Sequence, residues 1–96
     1  MKVYRALSSK SKDLDKRLGT GFLLKIKPIT LASMKSKLGI PSIEGSIDGK
    51  VKYEWVVKIG NQYLTVYDYK GDKWHIGGRL KDKKKAISLM KYLEEK

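Results

Sequence analysis

Residues 50–77, KVKYEWVVKIGNQYLTVYDYKGDKWHIG, decide how this chain folds. Val51, Tyr53, Trp55, Val57 and Ile59 alternate with Lys52, Glu54, Val56 and Lys58. Successive side chains of a strand point to opposite faces, so this period of two predicts a half-buried β-strand. Gly60-Asn61 is a two-residue hairpin signal, and 62–69 (QYLTVYDY) is the returning strand. Lys70-Gly71-Asp72-Lys73 predicts a second turn, Trp74-His75-Ile76 a third short strand, and Gly77-Gly78 its end. The segment therefore reads as a three-stranded antiparallel meander.

On the N-terminal side, residues 2–7 and 21–27 read as further strands, the latter ended by Pro28. Residues 12–18 read as two helical turns, with Ser11 as cap and Gly19 as stop. Thr30 predicts the start of a short helix, 31–38, ended by Gly39, with Ile40 as the accompanying apolar contact and Pro41 beyond it. Residues 39–50 read as a loop with a turn at Asp48-Gly49. On the C-terminal side, Asp82 is expected to cap a helix running to about Glu95. Its apolar stripe is Ala86, Leu89, Met90 and Leu93, with Ile87 at the edge. The expected fold is a single α+β domain, 1–96. It has an antiparallel three- to five-stranded sheet, built on the meander 50–77, with two or three short helices packed on one face.

The chain carries 22 Lys+Arg against 10 Asp+Glu, a formal net charge of +12. It has no cysteine, which rules out disulfides and thiolate metal sites. No stretch approaches the length of a membrane span and no signal-peptide pattern follows the start, so the expectation is a soluble intracellular protein without a membrane partner. Arg79, Lys81, Lys83, Lys84 and Lys85 crowd the start of the last helix, and Glu94 and Glu95 its end. This reverses what the helix dipole favours, at about a few tenths of a kcal/mol per exposed charge. A segment that accepts this cost points to an anionic partner, phosphate first, although a solvated helix start gives the same pattern. Nearly all the cations are lysine, a point charge rather than a bidentate fork, which favours backbone attraction over base reading.

The hairpin register decides what the sheet's second face offers. With a tight two-residue turn, Ile59 opposes Gln62, Val57 opposes Leu64, Trp55 opposes Val66 and Tyr53 opposes Asp68. The other face then pairs Lys58 with Tyr63, Val56 with Thr65, Glu54 with Tyr67 and Lys52 with Tyr69. A tight turn at Gly71-Asp72 would add Trp74 opposite Tyr69. Lys52, Lys58 and Lys73 interleaved with Tyr63, Tyr67, Tyr69 and Trp74 would make a stacking platform for single-stranded nucleic acid. A three-residue loop instead sends the tyrosines into the core. In the tight register Asp68 also falls opposite His75, a pair read here as structural. No nucleophile completes a catalytic set, and one histidine cannot build a multi-histidine metal site. No catalytic residue, metal or cofactor is therefore expected.

The segments Thr65-Val66-Tyr67-Asp68-Tyr69-Lys70 and Trp74-His75-Ile76-Gly77-Gly78 resemble a TxYDxK…WxIGG pattern of small proteins from large DNA viruses and phages. The resemblance covers about 48–78, and only Gly71-Asp72-Lys73 separates the halves, where a longer acidic insert is usual. It implies a viral or phage origin, in an infected cell or a virion, and no particular activity. Together these observations predict a small, basic, non-enzymatic nucleic-acid-binding protein of low sequence specificity, for DNA or RNA, acting in the host cytoplasm, at the nucleoid or in a virion. Arg79, Lys81, Lys83, Lys84 and Lys85 would hold phosphates. The same charge would also serve an effector that binds an acidic host protein or ribonucleoprotein, or a virion component.

Overall fold

A computed structural model describes residues 4–17, 20–45, 51–69 and 74–95, without the side chains of Arg17 and Tyr69. The expected turns at Asp48-Gly49 and 70–73, the Gly19 stop and Lys73 lie outside these residues. Five strands, β1 (Gly21–Lys25), β2 (Ile43–Glu44), β3 (Val51–Ile59), β4 (Gln62–Tyr69) and β5 (Trp74–Gly78), form one sheet in the order β1-β5-β4-β3-β2. Every pairing is antiparallel. Two helices, α1 (Leu31–Leu38) and α2 (Lys83–Glu94), pack on one face, so the fold is the expected α+β arrangement. Short 3-10 turns occupy Leu14–Arg17 and Leu80–Asp82. Of the two helical turns expected over 12–18, the described residues 12–17 hold the first of these 3-10 turns. Of the strand expected over 2–7, the described residues 4–7 hold a single bridge, between Ala6 and Val57. The pair Ile43–Glu44, expected as loop, is recruited as a strand because β3 offers its free edge.

The hairpin has the tight register: Ile59 pairs with Gln62, Val57 with Leu64 and Trp55 with Val66. Gly60 takes φ 62°, the left-handed region in which glycine carries no Cβ penalty. Past Glu54 the ladder departs from expectation. Val51, not Lys52, pairs with Tyr69, so Lys52 and Tyr53 together oppose Asp68 in a β-bulge. Asp68 causes this locally: its Oδ1 accepts the Lys52 amide at 3.0 Å and the Tyr53 amide at 2.9 Å.

The β4–β5 register also differs. Asp68 pairs with Trp74 and Tyr67 with His75, so Trp74 is not opposite Tyr69 and Asp68 is not opposite His75. An odd number of residues separates Asp68 from Trp74, which a two-residue turn cannot provide. A one-residue slip moves every side chain of a strand to the other face. Trp74 therefore enters the core, where it stands edge-on to Trp55, with centroids 5.4 Å apart. The two indole N–H groups are satisfied by backbone: Trp55 donates to Gly39 O at 2.9 Å and Trp74 to Ile29 O at 2.7 Å. Around them pack Ile26, Met34, Leu38, Val57, Leu64, Val66, Ile76, Ala86, Leu89 and Leu93.

Thr30 caps α1 as expected, its hydroxyl accepting from Ser33 N at 3.1 Å. Gly39 ends α1 at φ 93°, but Ile40, expected to pack beside it, is 82% exposed and outside the core. Asp82 stands at the α2 cap position without a side-chain bond to the helix. It is buried, and its Oδ2 has no hydrogen-bond partner. At the other end of α2, Lys37 donates to Tyr92 O at 2.7 Å and to Glu95 O, placing a cation where the dipole favours one. Glu94 there accepts from Lys27 N at 3.1 Å. Gly77 and Gly78, expected to end β5, are its last two residues. At Gly78 a Cβ would lie 2.5 Å from Leu64 Cδ2, so a side chain there would require Leu64 to shift.

Candidate nucleic-acid interface

Chain direction brings the basic segment to the hairpin end of the sheet. β5 runs towards that end, and α2 starts there and returns across β5 and β1. Lys85 marks the meeting point. Its ammonium donates to Ile59 O at 3.3 Å and to Gln62 Oε1, on either side of the Gly60-Asn61 turn. Lys85 is thus a half-buried tie between α2 and the hairpin, unlike its neighbours. Arg79, Lys81, Lys83 and Lys84 are exposed. Asp82, the carboxylate within this run, is turned inward at 3% exposure. Solvent at this end therefore meets four cations, while the acid that would offset them lies beneath.

The sheet's second face adds two more. Lys58 Nζ and Lys16 Nζ each stand 5.8 Å from the centroid of the Tyr63 ring. Cation–π attraction holds both over one aromatic, at about 0.5–1 kcal/mol each where exposed. Tyr63 is only 7% exposed, so it serves as a seat for lysines and offers no stacking surface. The 3-10 turn carrying Lys16 covers this part of the face. Val56 is also covered, its amide donating to Ser42 Oγ at 3.0 Å.

Farther from the hairpin the face is more open. The pairings place Lys25, His75, Tyr67 and Glu54 in one cross-strand row, and Phe22, Gly77, Thr65 and Val56 in the next. His75 lies edge-on between two rings: Phe22 at 5.1 Å and 76°, Tyr67 at 5.5 Å and 86°. Phe22 is 58% exposed, and Tyr67 and His75 are half-buried. A cleft of about 270 Å³ beside Tyr67 is lined by Thr20, Gly21, Val51, Glu54, Thr65 and Gly77. Gly77 keeps this floor low, since a Cβ there would meet Thr65 Oγ1 at 2.8 Å and Gly21 O at 3.0 Å.

The sequence-predicted site residues are therefore divided. Arg79, Lys81, Lys83, Lys84 and Lys58 gather at one end, and Lys85 is committed to the hairpin. Lys52 is exposed on the bulge at the opposite end of β3, away from that cluster. Tyr67 is on the second face as expected, whereas Trp74 is in the core and Tyr63 is covered. The Tyr69 side chain and Lys73 lie outside the described residues. Lys16, Phe22 and His75 were not foreseen as site residues, because their neighbours depend on β1 pairing with β5 and on the 3-10 turn docking against β4, and where an element docks has no local signal.

The chain matches no protein-family model, no curated protein and no solved structure. Most described members of the TxYDxK…WxIGG pattern have a packing task. Thr65 leans over Gly77, Asp68 holds the bulge, Trp74 and Ile76 fill the core, and Gly78 admits Leu64. Asp68 and His75 point to opposite faces, so they form no pair. Among the described residues there is no cluster of three metal-ligating side chains, and no helix is long and apolar enough to cross a membrane.

Proposed function

We propose that this chain is a small, non-enzymatic nucleic-acid-binding protein of low sequence specificity, holding phosphates with the exposed cations of its hairpin end. What carries the reading is the sorting of charge in residues 79–85, with Arg79, Lys81, Lys83 and Lys84 outward and Asp82 inward. A helix start loaded with lysines works against its own dipole, and a bound phosphate would turn that cost into attraction. Lys58, on the same end, extends the positive surface onto the sheet. Point charges on flexible stems suit a repeating phosphate backbone and carry no base preference. A viral or phage source, resting on the resemblance over about 48–78, belongs to the same proposal.

The test is a salt titration of oligonucleotide binding. Contacts from Arg79, Lys81, Lys83, Lys84 and Lys58 predict a slope of log K on log salt of about −3.5 for single strands and about −4.5 for duplex. Absence of binding at low salt, or a flat response, refutes the proposal and turns attention to an acidic protein partner.

A further inference from the structure

Among the described residues, three large apolar side chains stand out in solvent: Phe22, Ile40 and Leu80. Of these, only Phe22 belongs to an aromatic cluster on a sheet face, the one it forms with His75 and Tyr67. We propose that Phe22, His75 and Tyr67 form a base-stacking platform that gives this protein a preference for single-stranded nucleic acid. The inference rests on the nucleic-acid reading and names the form of the ligand.

The first ground is geometry. His75 touches both Phe22 and Tyr67 edge-on, so the three rings brace one another across β1, β5 and β4. Braced rings lose little freedom when a base settles on them, which is where the advantage of a preformed surface lies. Gly77, beside His75 on β5 and paired with Phe22, adds no side chain that would stand above the rings. The second ground is charge. Lys25 flanks His75 in the same cross-strand row and is exposed. At the hairpin end, Lys16 and Lys58 sit over Tyr63. Tyr63 and Tyr67 are four residues apart on β4, so the platform is about 13 Å from those lysines along the strand. One backbone can run over both. Glu54 closes the far end of the row, so bases seat from the Phe22 side.

Stacking requires bases that are already unpaired. A duplex hides its base faces, whereas phosphate contacts serve either form. An acidic protein partner would also be drawn to the lysines, but it would gain little from aromatic faces as opposed to apolar area. That difference makes the occupant testable.

The experiment measures binding of a short oligothymidylate and of a mixed-sequence duplex by fluorescence anisotropy at about 50 mM salt, where phosphate contacts are strong. Four proteins are compared: the native chain, Phe22→Ala, Phe22→Leu and Phe22→Trp. Exposure of Phe22 keeps these variants folded, and a thermal melt of each confirms it. The expected result is that Phe22→Ala and Phe22→Leu weaken single-strand binding about 5- to 150-fold, the range for loss of one stacked base. Phe22→Trp should retain or strengthen it, while duplex affinity and both salt slopes hold. If the native protein binds both forms and Phe22→Ala changes neither, the platform is refuted and the phosphate-binding reading stands. If Phe22→Leu retains full affinity, the surface is merely apolar and the stacking inference falls. If the native protein binds neither probe, both readings fall together.

Discussion

The lysines at the start of α2 make separable predictions, because the structure gives them different tasks. Lys83 and Lys84 are exposed in the first turn, where the helix dipole opposes them. At low ionic strength such a charge costs about 0.3–1 kcal/mol, and exposure to solvent puts each at the lower end. The double variant Lys83→Gln, Lys84→Gln should therefore gain about 0.5 kcal/mol of stability. A domain of this size shifts by about 4–8 °C per kcal/mol, so its Tm should rise by about 2–4 °C. The same variant removes two of five proposed phosphate contacts, and its single-strand salt slope should flatten by about 1.4. Lys85→Gln should behave oppositely. Its ammonium bonds Gln62 Oε1 and, at 3.3 Å, Ile59 O. It also lies 3.2 Å from where a Gly60 Cβ would be. Hydrogen bonds from charged groups are worth about 1.5–3 kcal/mol when well made. A long bond on a half-buried side chain, less the relieved dipole cost, brings the loss to about 0.5–1 kcal/mol. Tm should then fall by about 2–8 °C while the slope barely moves. Circular-dichroism melts at low salt and anisotropy titrations read both quantities. A double variant that melts lower and binds with an unchanged slope would show the whole run to be structural. A Lys85→Gln variant that flattens the slope without losing stability would show that the hairpin tie does not hold in solution.

Other positions give equally direct outcomes. Asp68→Ala should cost about 2 kcal/mol in urea unfolding, because two part-buried amides at the bulge lose their acceptor, whereas Asp68→Asn should cost about 1 kcal/mol by keeping a carbonyl oxygen there; equal losses would refute the bulge argument. Gly77→Ala should cost about 1–3 kcal/mol, since its new Cβ meets the Gly21 backbone oxygen. Gly78→Ala should cost less, because the atoms it meets are the ends of Leu64 and Leu23, which can rotate away; the reverse order would refute the comparison. Trp74→Phe should lose about 1–3 kcal/mol by orphaning Ile29 O and leaving a gap, with oligonucleotide affinity unchanged; reduced affinity at native stability would return Trp74 to the interface.

Elements written in short-range chemistry were legible from the chain. Alternation over 51–59, the Gly60-Asn61 turn and the apolar stripe of α2 depend on residues within a turn or two of one another, and they appear as expected. The sequence left two loop lengths open, and the two-residue one that the structure adopts carries the placement of Tyr67 opposite Glu54. The basic segment was legible as charge, since charge needs no neighbours to be recognised.

Packing settled the rest. Whether Trp74 faces helix or solvent turned on the parity of one connection, and a single residue reversed it. The bulge depends on Asp68 reaching amides of another strand. Lys85 was set apart from Lys83 and Lys84 by a hairpin that lies distant in sequence. Phe22 meets His75 and Tyr67 on one face only because β1 adds to the sheet beside β5 and not beside β2. Composition and periodicity act within a strand or a helical turn, and they set the elements and the net charge. Which strands become neighbours, and so which side chains share a surface, is a long-range outcome of burying one face.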